Sequence, residues 1–171
     1  EKVMAQGAVN LAGRVVALGD GVENIQIGDA FMAGHRPGAF AEETCVPVER
    51  LIPVPGGMDM AEAAGFRSAF ITAYHGLVQG GRLQAGETAL IHGAAGGMGH
   101  AAVQVAKRLG ATVVATASGE EKLRALQSMG ADHAIEYKNG FRDTVKELTS
   151  GRGADVIFDP VGGDVFDESI R

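Results

Sequence analysis

The chain of 171 residues contains a single cysteine and no tryptophan, and aromatic side chains make up only 5% of it. Cys45 alone cannot close an internal disulfide, and it cannot supply the clustered thiolates of a structural zinc lobe. No run of about 18 apolar residues is long enough to span a bilayer, and no basic-then-apolar leader opens the chain, so a cytoplasmic protein is expected. Positive charge is in short supply. Fifteen Lys and Arg against 21 Asp and Glu leave a net charge of −6 without any basic cluster, which argues against nucleic acid or an anionic membrane as partner. Proline is sparse too, and two of the five fall in one short segment, Pro53-Val54-Pro55-Gly56-Gly57.

The chain changes character at that segment. Before it come short β-type stretches, expected over residues 13–17, 30–33 and 39–48, separated by Gly-Asp and Pro-Gly punctuation. After it helices and strands alternate. Asp59 with Glu62 has the spacing of a capping box opening a short helix, and residues 68–78 predict a second apolar helix ending at Gly80-Gly81. Nearly all-apolar strands follow over 88–92, 112–116, 133–135 and 155–158, with helices over 97–109, 120–129 and 141–149 between them. These alternations predict an α/β fold with a Rossmann-type, doubly wound parallel sheet over residues 58–171, preceded by part of a β domain over residues 1–57. Four strands are fewer than such a domain commonly has, so it is expected to be partial at its C-terminal end. A chain opening on Glu1 rather than methionine is likewise expected to lack its true start.

Glycine is abundant, with 26 residues. The segment His92-Gly93-Ala94-Ala95-Gly96-Gly97-Met98-Gly99 lies between the strand and helix predicted around it, so it is a glycine turn feeding a helix N-terminus. Glycines there let the backbone approach a pyrophosphate, and the free N–H groups and positive dipole end of the helix receive its charge. Ala94 stands in the first glycine position of the G-x-G-x-x-G pattern, but strand, turn, helix and second strand complete a βαβ unit in about 30 residues.

Cofactor preference is read about 20 residues further on, where NAD-binding proteins place an acid against the ribose 2′-hydroxyl. The second strand here runs out through Ala117-Ser118-Gly119 without a carboxylate. Glu120 and Glu121 fall in the first turn of the next helix, a place acids favour for dipole reasons alone. Small, neutral Ser118 leaves room for a 2′-phosphate and Lys122 could supply a charge to it, so NADPH is favoured over NADH.

Taken in order, Gly13-Arg14-Val15-Val16-Ala17-Leu18-Gly19, Gly28-Asp29, Gly38-Ala39-Phe40-Ala41-Glu42, Thr72-Ala73-Tyr74-His75, the glycine turn, Leu109-Gly110-Ala111, Met129-Gly130-Ala131-Asp132-His133 and Asp159-Pro160-Val161-Gly162-Gly163-Asp164 resemble the medium-chain dehydrogenase/reductase superfamily. Within it the chain is most similar to the zinc-free NADPH:quinone oxidoreductases (the zeta-crystallin-like family). The resemblance covers essentially all of the chain but about half of a family member. It makes the first part a partial GroES-like substrate domain. A departure falls at Gly7-Ala8-Val9-Asn10, where the family has a Pro-Gly-x-Glu-like stretch.

The resemblance implies that Thr72 contacts the nicotinamide-ribose end of NADPH and that the Val161-Gly162 backbone lines its other side. Ala95, Gly96, Gly97 and Met98 would hold the pyrophosphate, and Ser118, Lys122 and Tyr137 the adenosine 2′-phosphate end. Ser68 takes the place of a zinc-ligating cysteine, and the stretch over residues 33–40 that matches the zinc lobe's position has none. Cys45 falls in the β-type stretch. His35, His75, His92, His100 and His133 lack metal-ligand spacing and are expected to be surface or packing residues. No metal is therefore expected, and the implied reaction is hydride transfer to a quinone or to the β-carbon of an α,β-unsaturated carbonyl, with a proton from water or a hydroxyl. Tyr74 and His75 are expected to pack rather than act as acids, and no catalytic acid is assigned. Two alternatives stand beside this reading. One is an enoyl-thioester reductase, for which Arg67 in an apolar helical stretch could meet an anionic substrate. The other is a cofactor-binding scaffold without activity. A small-molecule substrate is the expected partner, and a homodimer is what the resemblance implies for the complete protein.

Overall fold

Hydrophobic alternation and glycine punctuation build two sheets of different kinds in the computed structural model, which describes residues 10–34 and 38–171. The first sheet is antiparallel, with strands β1 (Asn10–Arg14), β2 (Ala30–Gly34) and β3 (Leu51–Pro53) in sequential order. Its register places Leu11 opposite Ala33 and Met32 opposite Ile52. The pairing of β1 and β2 is extended by Val15 N–H on Asp29 C=O at 2.9 Å and Gly28 N–H on Val15 C=O at 2.8 Å. The strand expected over residues 39–48 does not form. That segment is bends and irregular backbone, and the third strand lies further on, where Leu51–Pro53 finds β2 as partner. Cys45 is accordingly in irregular structure and exposed.

Helix α1 (Met60–Tyr74) replaces the two helices expected from the sequence. The capping box is formed: Ala61 N–H donates to Asp59 Oδ1 at 2.8 Å, and Asp59 N–H donates to Glu62 Oε2 at 3.3 Å. The intervening residues contain no proline, and one interior glycine costs a helix only about 1 kcal/mol, so the first helix runs on into the second. Its continuation, His75–Gly80, widens to a π turn with Gly81 N–H on Gly76 C=O at 2.7 Å.

The chain divides into two compact units, ending at Ser68 and running over Ala69–Arg171. The change of composition at residues 53–57 precedes this division, because the opening turns of α1 make their contacts within the first unit. Ser68 Oγ donates to Asn10 Oδ1 at 2.5 Å, and the Arg67 guanidinium lies against Gly34 at a distance that leaves no room for a Cβ there.

The second unit is a four-stranded parallel sheet of β4 (Thr88–Ile91), β5 (Thr112–Ala117), β6 (His133–Glu136) and β7 (Val156–Phe158), in the order β6-β5-β4-β7. Helices α2 (Gly97–Arg108), α3 (Glu120–Ser128), α4 (Arg142–Leu148) and α5 (Asp164–Ser169) alternate with the strands. Successive strand residues face opposite sides. Ala89, Ile91, Val113 and Ala115 join Val103 and Leu126 in one core, while Leu90 and Val114 meet Phe141 and Val145 in the other. Helices thus cover both faces, which is why the strands read as continuous apolar runs. At the N-terminal edge of the sheet, Asp132 accepts Lys107 Nζ at 2.8 Å and Val113 N–H at 2.7 Å. Partial burial opposes its ionisation, but these donors outweigh it and hold the carboxyl below its ordinary value.

Candidate functional site

Strand order reverses direction of growth at β4, with β5 on one side and β7 on the other. In open α/β sheets the crevice at such a switch point, beyond the carboxyl ends of the strands, is where ligands bind. The glycine turn leaves β4 at this point and is pinned to both neighbours: His92 N–H donates to Phe158 C=O at 2.9 Å, and Ala94 N–H to Thr116 C=O at 3.0 Å. Gly96 N–H then returns to Gly93 C=O at 2.9 Å, and α2 begins. Gly99 explains the tightness of the turn, since a Cβ there would collide with Gly93 C=O and come within 2.5 Å of Ala94 Cα.

A cavity of about 240 Å³ opens beside this turn, lined by His92, Gly93, Ala95, Gly96, Thr116, Ala117, Ser118, Lys122, Tyr137, Val161 and Val165. Pockets that engulf a whole small-molecule ligand run to roughly 300–1,000 Å³, so this one suits a portion of a dinucleotide. Of the residues expected to hold the cofactor, Ala95, Gly96, Ser118, Lys122, Tyr137 and Val161 are brought together in its wall. Gly97 and Met98 form the first turn of α2, with Met98 39% exposed. Gly162 follows Val161 outside the lining. Thr72 is exposed on α1 and does not line the cavity.

The donor set fits an anionic cofactor. Helix α2 has Gly96 as its N-cap, no side chain capping it and no acid in its first turn. Every other α-helix described carries acid there: Glu62, Glu120 with Glu121, Asp143, and Asp164 with Asp167. Since acids at this position offset the helix dipole, α2 is the helix whose positive end and first N–H groups are left for an outside anion. Open space surrounds the position where a Gly97 Cβ would stand. At the far end of the cavity Glu120 is turned along its own helix onto Arg124 at 2.8 Å, and Lys122 has no ion pair among the described residues.

Three residues of the site were not legible as such in the sequence. Asp159, just past β7, accepts Val161 N–H at 2.8 Å and Gly162 N–H at 3.0 Å on Oδ1, so this carboxylate shapes the loop that forms one cavity wall. Those two N–H groups are thereby committed within the loop. The other carboxylate oxygen, Oδ2, is buried without a hydrogen-bond partner. His92 is 1% exposed, with Nδ1 at 2.9 Å from Thr116 Oγ1, Nε2 at 3.0 Å from Ser169 Oγ, and its ring edge-on to Phe141. Burial outweighs the pull of Asp159 and Glu168 and holds its pKa below the ordinary histidine value. Glu136 at the end of β6 accepts Gly119 N–H at 2.8 Å. An acid three residues before a glycine, as in Asp159-Pro160-Val161-Gly162, is the local signal that could have flagged the first.

His75 is exposed and bonds Gln79 Oε1 through Nδ1 at 2.6 Å, and Tyr74 is 53% exposed, so neither is packed as expected. His100 is exposed and His133 half-buried, while His35 lies outside the described residues. Among the described residues no three His, Cys, Asp or Glu side chains are grouped to hold a metal ion, and no helix is long and apolar enough to cross a membrane.

Residues 97–171 match the family model described as zinc-binding dehydrogenase, a stretch that begins beyond Ser68. Among curated relatives, the chain is 38% identical over 160 residues to a 2-haloacrylate reductase of Burkholderia sp, covering 91% of this chain and 48% of that protein. It is 40% identical over 161 residues to a probable quinone oxidoreductase of Leishmania amazonensis, covering 94% of this chain and 46% of that one. Among solved structures, a mycobacterial protein complexed with NADPH superposes with a TM-score of 0.86 at 32% identity, covering 95% of this chain and 52% of that one. The chain therefore spans about half the length of the curated relatives it matches. With the parallel sheet, the glycine turn and these likenesses agreeing, the chain belongs to the medium-chain dehydrogenase/reductase superfamily, in its zinc-free quinone oxidoreductase-like family.

Proposed function

We propose that this chain carries the NADPH-binding part of a zinc-independent reductase acting on quinones or α,β-unsaturated carbonyl compounds. The observation that carries the reading is the cavity at the switch point, lined by Gly96 at the N-cap of α2, which has no capping side chain, and by Ser118 and Lys122, the latter without an ion pair among the described residues. Gly97 and Met98 receive the pyrophosphate on the N–H groups of the first helical residues, and Gly96, whose own N–H is held by Gly93 C=O, forms the turn against which it lies. Ser118, Lys122 and Tyr137 receive the 2′-phosphate, the first two by hydrogen bond and charge and the third as a wall. Ala95 lines the path between them, and the loop of Val161 and Gly162, held in shape by Asp159, bounds the nicotinamide side together with Thr72. Bound there, the cofactor supplies a hydride, and the acceptor takes a proton from water or a hydroxyl to complete its reduction. The relatives named for quinone and 2-haloacrylate reduction support this substrate class.

The test follows NADPH and NADH absorbance in parallel as the protein meets a small ortho-quinone, a simple enone or an enoyl thioester, with a metal chelator present throughout. Oxidation of NADPH well ahead of NADH, on quinone or enone and indifferent to chelator, is expected. Turnover confined to the thioester moves the assignment to enoyl-thioester reduction, and no turnover on any acceptor contradicts a reductase.

A further inference from the structure

Dinucleotide-binding folds that read a ribose 2′-hydroxyl do so with an acid near the end of the second strand, a place held here by Ser118. The structure nevertheless brings a carboxylate to that place from the neighbouring strand. Glu136 closes β6 and is paired in register with Ala117 of β5, which lines the cavity immediately before Ser118. The carboxylate reaches past this pair to Gly119 N–H, so its charge stands beside the turn that carries Ser118. Its oxygens are already engaged: Oε2 accepts Gly119 N–H at 2.8 Å and Oε1 accepts Lys138 N–H at 3.4 Å. Gly119 stands at φ 87°, a conformation that side chains disfavour, and it is the N-cap of the helix that carries Lys122. The Gly119 hydrogen bond, the largest influence on Glu136, keeps its carboxyl below the ordinary value and hence ionised at neutral pH.

Resting on the NADPH reading above, we propose that Glu136 is a positioning residue that sets how strongly the cavity prefers a 2′-phosphorylated adenosine. Its clamp on Gly119 builds the turn that presents Ser118 and Lys122, while its charge, opposite in effect to that of Lys122, restrains the affinity gained from the phosphate. Glu136 is not among the residues lining the cavity, so it acts through the turn and through its charge rather than by reading the ribose hydroxyl. The two contributions separate by substitution. Glu136→Gln keeps an oxygen for Gly119 N–H and removes the charge, whereas Glu136→Ala removes both.

The experiment titrates the protein calorimetrically with 2′,5′-ADP and with 5′-AMP, which differ by the 2′-phosphate alone. In Glu136→Gln, 2′,5′-ADP is expected to bind about fivefold more tightly with 5′-AMP unchanged, the size expected for one nearby unpaired charge. In Glu136→Ala that gain is lost as the turn loosens, so that the amide variant rescues what alanine forfeits. A purely structural residue would shift both nucleotides together; equal shifts, or a ratio that stays within twofold of the wild type, overturn the proposal. Wild-type protein that binds neither nucleotide overturns the NADPH reading itself and the role of Glu136 with it.

Discussion

His92 donates its Nε2 proton to Ser169. The two atoms lie 3.0 Å apart, and the Ser169 hydroxyl has already placed its own proton on Val165 C=O at 2.7 Å, so the ring must be the donor. Neutral His92 then accepts at Nδ1, and the Thr116 hydroxyl, 2.9 Å away, donates to it. One tautomer of a buried imidazole thus links the ends of β4 and β5 to α5.

A pH dependence follows from that arrangement. The folded pKa of His92 is depressed below 6.5, so the unfolded chain takes up the proton first as pH falls. Its contribution to stability is therefore complete above the unfolded pKa and is lost as pH drops toward the folded one. Chemical denaturation at pH 7 and pH 5.5 is expected to show lower stability at the lower pH. His92→Leu is expected to lose about 1–3 kcal/mol at pH 7, because Thr116 and Ser169 are left facing an apolar group, and to flatten the slope between the two pH values.

The two glycines at the helix entrance have opposite roles. Gly99→Ala forces a methyl group into Gly93 and Ala94, whose backbone must shift, and is expected to destabilise the protein by about 1–3 kcal/mol. Gly97→Ala meets open space and is expected to leave the melting temperature within a few degrees while weakening NADPH, since the methyl group narrows the approach to the N–H groups. Thermal melts alongside NADPH titrations of both variants check this pair of outcomes.

Much of the nucleotide-binding unit is written in local sequence. The apolar runs ended within two residues of β4, β5, β6 and β7, and the glycine turn announced itself because strand, turn and helix are contiguous in the chain. What escaped depends on neighbours distant in sequence. Residues 39–48 carry strand-like composition, yet Leu51–Pro53 pairs with β2 instead, and pairing rather than propensity decides a short strand. The break expected inside α1 required a stop signal that Gly65 alone does not provide. Glu136 reaches Gly119 over 17 residues and His92 reaches Ser169 over 77, contacts that no periodicity announces.

Asp159 tests the wall proposed for the nicotinamide side. Asp159→Ala releases Val161 N–H and Gly162 N–H and is expected to weaken NADPH about tenfold, through loss of a preformed loop. Binding of 2′,5′-ADP, which stops short of the nicotinamide, is expected to stay within twofold. Comparable losses for both ligands in calorimetry would show that Asp159 supports the whole unit rather than this loop.

The central claim is that the cavity between the glycine turn and Ser118 holds a dinucleotide by its phosphates, the 2′-phosphate included. Calorimetric titration of the wild-type protein with NADPH and NADH at one ionic strength addresses it most directly. NADPH is expected to bind at least about tenfold more tightly than NADH, with the difference shrinking as salt is raised because Lys122 acts through charge. Equal affinities, or a preference for NADH, would contradict it.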